Sequence, residues 1–202
     1  ITSSATFTAD ENQTAIGTVI ATDADNLDTS ASTNFVVTGS ELSVSSAGVL
    51  TFANAPDYET KTSYTTTLTA SDDAGNSSSQ SITVNINNLN DNDPVFSTGT
   101  TFSADENQTA IGTAAATDAD GDSVTFSISG SDLSITSSGV ITFNSAPDYE
   151  TTTSYTATIT ANDGANSITQ DITVNITDLD DEAPVITSSA TFTADENQTA
   201  IG

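Results

Sequence analysis

The chain repeats itself at the length of a whole domain. Thr6–Gly17 (TFTADENQTAIG) returns as Thr101–Gly112 (TFSADENQTAIG) and again as Thr191–Gly202. Glu11, Glu106 and Glu196 mark periods of 95 and then 90 residues. A period this long is one folded domain, not a helical hairpin or a propeller blade. The expected division is therefore 1–94, 95–184 and a truncated third unit over 185–202, a piece of a longer array. Whatever fold is proposed must be able to stack on copies of itself.

The hydrophobic pattern names the fold class. Tyr64, Thr66, Leu68 and Ala70 alternate with Thr and Ser, as do Ile82, Val84 and Ile86. The second unit repeats this at Tyr155, Ala157, Ile159 and Ala161 and at Ile172, Val174 and Ile176. Val124, Phe126 and Ile128 add a further strand, and Val49–Phe52 and Val140–Phe143 follow the turn glycines Gly48 and Gly139. Period-two alternation in Thr, Val, Ile and Phe marks half-buried antiparallel strands. No stretch carries a helical period. About seven short strands per unit predict an all-β chain of tandem β-sandwiches.

Charge narrows the function. One Lys and no Arg face 28 Asp and Glu, a formal charge of −27. Nucleic acid and anionic membranes demand basic residues, so neither is an expected partner. No run of about 18 apolar residues is present to span a membrane. Cysteine is absent, so no disulfide framework holds the domains. An enzyme is the weakest reading. The chain has no His or Cys, Lys61 is its only basic side chain, and the Ser and Thr hydroxyls have no evident base to activate them.

The acids are not scattered. Five motifs recur in order: A-D-E-N at 9–12 and 104–107, D-A-D at 23–25 and 118–120, D-Y-E at 57–59 and 148–150, A-x-D at 70–72 and 161–163, and a linker at 87–94 (NNLNDNDP) and 177–184 (TDLDDEAP). A single D-x-D could make only an Asx-turn, but five ordered motifs, twice over, argue for bound divalent cations. Asp118–Asp122 (DADGD) has the start of an EF-hand loop but lacks its Gly at the sixth position and its Glu at the twelfth, so that reading fails. Sequons at Asn12, Asn76 and Asn175 are expected by chance in so Thr- and Asn-rich a chain.

These five motifs resemble those of cadherins, over both complete units and the third fragment. The resemblance implies seven-stranded Greek-key sandwiches, cadherin- or immunoglobulin-like, joined end to end by calcium-binding linkers. It implies Ca2+ held at the first junction by Glu11, Asp57 and Glu59 of one unit, by Asn90 and Asp91 of the linker with the carbonyls of Leu89 and Asn92, and by Asp118, Asp120 and Asp163 of the next. At the second junction it implies Glu106, Asp148, Glu150, Asp180 and Asp181, with Leu179 and Glu182 as carbonyl donors. Asp23, Asp25 and Asp72 would serve a linker preceding Ile1. Oxygen donors of this kind suit a hard cation that takes six to eight of them at roughly 2.3–2.6 Å.

The chain departs from the family pattern in places. Asn88 stands where the linker usually has Asp, Pro56 and Pro147 precede D-Y-E where Leu is usual, and there is no Trp for strand-exchange adhesion. Near-identical, Cys-free repeats look most like those of large bacterial surface adhesins. The resemblance implies an extracellular, cell-surface module whose calcium stiffens a stalk. The alternative is that each repeat itself binds a partner, either another copy or a surface polysaccharide.

Overall fold

The computed structural model describes residues 1–24, 34–188, 190–197 and 199. The described residues form strands and turns, with no helix. The first unit holds seven strands: β1 (Thr6–Asp10), β2 (Ala15–Thr18), β3 (Asn34–Val37), β4 (Leu42–Val44), β5 (Val49–Phe52), β6 (Ser63–Ser71) and β7 (Ser77–Asn87). They form two sheets, β1-β7-β6-β3 and β2-β5-β4. The second unit repeats the plan with β8 (Val95–Phe96), β9 (Thr101–Asp105), β10 (Ala110–Thr113), β11 (Ala116–Thr117), β12 (Thr125–Ile128), β13 (Leu133–Ile135), β14 (Val140–Phe143), β15 (Ser154–Asn162) and β16 (Ser167–Thr177). Its sheets are β12-β15-β16-β9 and β10-β14-β13, with β8 paired to β11.

The alternation read from the sequence is the alternation of burial. Leu68, Ile82 and Val84 turn inward from one sheet onto Leu50 and Phe52 of the other. Ile159, Ile172 and Val174 meet Ile141 and Phe143 in the same way. Each fully buried aliphatic side chain contributes about 1.5–3 kcal/mol. Their Thr and Ser neighbours face solvent along the same strands. Edge-to-face pairs of Phe52 with Tyr64 and Phe143 with Tyr155, both with centroids 5.1 Å apart, place these tyrosines in the core packing.

Gly48 and Gly139 are required by the fold, at φ of +80° and +92°. A Cβ on either would stand 2.3 Å or 2.2 Å from the carbonyl oxygen of Val19 or Ala114. Only glycine fits so close an approach at positive φ.

One pairing decides where the acids go. β1 runs parallel to β7, with Asp10 opposite Asn87, while the other strand pairs described in the first unit are antiparallel. The chain leaving β1 therefore emerges at the same end as the chain leaving β7 for the linker. β6 begins at that end too, with Ser63 opposite Asn85, so the loop carrying D-Y-E also lies there. The second unit matches, with Asp105 opposite Thr177 and Ser154 opposite Asn175.

Thr191–Asp195 has the same five residues as β1 yet forms no strand, and Val185, Ile186 and Phe192 are exposed. In both complete units this segment pairs with the last strand of its own unit. No such strand of a third unit lies within these 202 residues.

Candidate metal centre

Glu11 anchors the junction from the first unit. It is only 2% exposed, and both its oxygens accept backbone N–H groups, from Leu89 at 2.8 Å and Tyr58 at 2.7 Å. One carboxylate thus ties the end of β1 to the linker and to the D-Y-E loop. Glu106 does the same in the second unit, accepting from Leu179 at 2.8 Å and Tyr149 at 2.9 Å. The Asn that follows each Glu adopts positive φ, +62° at Asn12 and +63° at Asn107, a conformation Asn tolerates better than most residues. The turn lets the Asn12 amide donate to Asp91 and the Asn107 amide to Asp181. Asn12 N–H donates to the carbonyl of buried Pro56 at 3.0 Å, and Asn107 N–H to that of Pro147 at 2.9 Å. A proline in front of D-Y-E keeps that acceptor while filling the site.

The second unit meets the linker through Asp120. Its carboxylate accepts N–H from Asp91 at 3.0 Å and from Asn92 at 2.9 Å, and the Asn92 side-chain amide at 2.9 Å. The Asn88 amide donates to the Asp120 carbonyl at 2.8 Å, so this departure from Asp ties the linker to the second unit. Desolvation pushes Asp120 up, but the bonds from Asn92 and Asp91 outweigh it and hold its carboxyl below the ordinary value. Asp163 behaves alike, desolvation being outweighed by the backbone N–H groups of Asn166 and Ala165.

Acids from both sandwiches converge as a result. Glu11, Glu59, Asp91 and Asp120 bring carboxylate oxygens within 4.8 Å of one another, and Asp118, Asp120 and Asp122 form a second such group. Desolvation, reinforced by the charges of Glu11 and Asp120, holds Glu59 above its ordinary value. At the second junction Glu106, Glu150 and Asp178 form one group and Glu150, Asp181 and Glu182 another. The ammonium of Lys61 is engaged by Glu41 at 2.5 Å and lies over the Tyr64 ring.

Two oxygens test whether a cation fits. Asp118 Oδ2 and Asp163 Oδ2 are buried without a hydrogen-bond partner, Asp163 being 7% exposed. A buried carboxylate oxygen left bare costs on the order of 1–3 kcal/mol or more. Divalent cations would satisfy such oxygens, and carboxylates and carbonyls are the hard donors calcium prefers. Asp118 lies in one of the carboxylate groups, and Asp163 stands outside them.

Not every expected ligand joins these groups. Asp57 caps its own turn, accepting Thr60 N–H at 3.1 Å and Thr60 Oγ1–H at 3.0 Å. Asp148 accepts Thr151 Oγ1–H at 3.0 Å in the same manner. Asp180 stands outside the groups. Glu182 brings its carboxylate to the second junction, where a carbonyl was expected. Leu89 and Leu179 direct their N–H groups at Glu11 and Glu106. Asn90 offers its amide to the Asp163 carbonyl at 3.3 Å. Asp72 holds Asn76 by side chain and backbone, which keeps its carboxyl below the ordinary value. Asp23 is exposed, and Asp25 lies outside the described residues. Asp122 and Asp178 join the groups without having been among the expected ligands; Asp122 ends the DADGD run, and Asp178 supplies the linker Asp that Asn88 replaces in the first unit.

Comparison with known proteins gives this arrangement its kin. The chain is 34% identical over 152 residues to Cadherin-99C of Drosophila melanogaster, covering 68% of this chain and 9% of that protein. It is 29% identical over 161 residues to the Protocadherin-like wing polarity protein stan of the same organism, covering 70% and 4%. Its fold matches protocadherin gamma B2 extracellular cadherin domains 3-6 with a TM-score of 0.67 and 28% identity, covering 80% of this chain and 44% of that one. These are cadherin-like domains. Mouse cadherin-23 EC22-24 shares their fold, with a TM-score of 0.70 at 23% identity over 87% of this chain and 64% of that one. No protein-family model matches the chain. The cadherin-like units span less than a tenth of either of these two curated relatives. Domains of this type are extracellular and are not enzymes. No helix among the described residues is long and apolar enough to cross a membrane.

Proposed function

We propose that the chain is a calcium-binding adhesion module, in which Ca2+ between successive cadherin-like domains stiffens a tandem stalk. The observation that carries this reading is the meeting of Glu59, Asp91 and Asp120, from one sandwich, the linker and the next sandwich. Without a counter-ion these charges repel. With calcium they become shared ligands that join two rigid bodies. The domains run 1–94 and 95–184, with 185–202 opening a third. Glu11, Glu59, Asp91, Asp118, Asp120 and Asp163 hold the ions of the first junction. Asn90, Asn92, Asp57 and the carbonyl of Leu89 complete the oxygen set as the linker tightens. Glu106, Glu150, Asp178, Asp181 and Glu182 serve the second junction.

Composition, with no Cys and near-identical repeats, supports a large bacterial surface adhesin as the parent; the relatives found are animal proteins. Calcium titration by calorimetry, with magnesium as control, tests the reading. Saturable, calcium-selective binding near the range of extracellular modules, roughly 10⁻⁴–10⁻³ M or tighter, is expected. No binding up to several times that range rejects it.

In a second reading the repeats bind a partner themselves. One structural neighbour is described as a cis-dimer, which makes another copy the partner to try first. Concentration-dependent association in sedimentation, or retention on an insoluble polysaccharide, would favour that reading over a passive stalk.

A further inference from the structure

The two units spend one side-chain amide differently. After β6, Asn76 donates its amide to Asp72 Oδ2 at 2.8 Å and its backbone N–H to Asp72 Oδ1 at 2.8 Å. After β15, the matching Asn166 keeps the backbone bond, to Asp163 Oδ1 at 2.7 Å. Its side chain turns elsewhere, donating to Asn90 Oδ1 at 3.2 Å and to the Asn92 carbonyl at 3.1 Å. Asp163 is buried and Asn166 half-buried, with Gly164 and Ala165 exposed between them, and Asn90 returns a bond to the Asp163 carbonyl. Asp163 Oδ2, the oxygen matching the one that Asn76 caps in the first unit, is buried and bare.

We propose that Asn166 is a positioning residue for the cation at this junction, an inference that rests on the calcium reading above. Its amide does two things with one side chain. It grips the linker at Asn90 and Asn92, fixing the carbonyl and amide oxygens that line the approach to the ion. By spending its donors there, it leaves Asp163 Oδ2 open as a ligand. An amide suits the task because it carries no charge. A Lys would pair with the acids and compete with the cation, and an Asp would add repulsion and offer no donor. The chemistry is that of an outer-shell partner, which orients ligands without touching the metal.

The test uses the whole chain and three proteins: the parent, Asn166→Ala and Asn76→Ala. Asn166→Ala removes only side-chain bonds, since the turn is held by backbone N–H groups on Asp163 Oδ1. Calorimetry should show calcium bound at the first junction roughly 10–100-fold more weakly in Asn166→Ala, with Asn76→Ala matching the parent. In chelator, hydrogen exchange at the linker amides of residues 89–92 should be faster in Asn166→Ala alone, with β15 and β16 still protected. Calcium affinity and linker exchange both equal to the parent's would overturn the proposal. A parent that binds no calcium would instead overturn the functional reading, and the linker exchange would still judge whether Asn166 grips the linker.

Discussion

The carboxylates of Glu59 and Asp120 belong to different sandwiches, yet lie within 4.8 Å of each other. Glu59 is set there by the D-Y-E loop before β6, and Asp120 by the D-A-D segment after β11. Lys61, the only Lys or Arg in the chain, pairs with Glu41 and not with either of them. Their approach is sustained by the Asn and backbone N–H groups that bind Asp120 and Glu11. With calcium bound as proposed, protons and the cation would compete at this junction.

That competition should give the pH dependence opposite signs with and without calcium. In chelator, Glu59 and Glu150 have folded-state values above the ordinary 4.5, so the folded protein binds more protons than the unfolded chain in that window. For Glu150 a bond from its own backbone N–H lowers the value, but desolvation and the charges of Glu106, Asp178 and Asp148 together outweigh it. The melting temperature should therefore rise as pH falls from 7 toward the ordinary Glu value. Asp72, Asp120 and Asp163 are depressed below 3.8, so their contribution disappears as pH falls through their lower folded values. With saturating calcium, acid should destabilise throughout, because the ligands must be deprotonated. Thermal melts across pH with and without chelator check this. Identical slopes would mean that no ion binds at the acids.

Asp91→Ala should separate ion binding from folding. Asp91 is exposed, and among the described residues its side chain bonds with Asn12 and Asn92. In chelator its melting should follow the parent's within about 0.5 kcal/mol. With calcium present it should lose the stabilisation that the ion gives the parent. An unchanged calcium affinity would remove Asp91 from the ligand set.

Glu11→Gln should behave in the opposite way, failing even in chelator. Both Glu11 oxygens accept backbone N–H groups in a buried place. The amide nitrogen of Gln would face one of those donors and leave it unpaired, at a cost of about 1–3 kcal/mol. Denaturant melts in chelator decide the matter; a variant as stable as the parent would show that Glu11 serves the ion alone.

Gly48→Ala should destabilise the first unit by more than about 1 kcal/mol, whereas Gly75→Ala should cost less. Both glycines have positive φ, but only at Gly48 would a Cβ meet backbone, 2.3 Å from the Val19 carbonyl oxygen. Equal losses in urea melts would mean that conformation alone, and not the close approach, sets the cost.

Much of the fold was legible because a strand writes its exposure into the sequence two residues at a time. Val49–Phe52 and Val140–Phe143 form strands over the expected bounds, and the Ile82, Val84 and Ile86 face is buried. β1 was harder to read from alternation, since Phe7 and Ala9 alone mark its inner face. Its parallel pairing with β7 is a long-range choice that no local pattern states.

The sequence by itself determined that the chain is a tandem of β-sandwiches and which acids belong together as a motif. Alternation and repetition are local properties, written in the order of residues. Only the tertiary structure decided which acids meet. It brought Asp122 and Asp178 into the groups, left Asp57 and Asp148 bonded to Thr60 and Thr151, and turned Asn166 away from Asp163 toward the linker. Those outcomes depend on where β1, β6 and the linker end in space. A carboxylate takes whichever donor that geometry brings within reach.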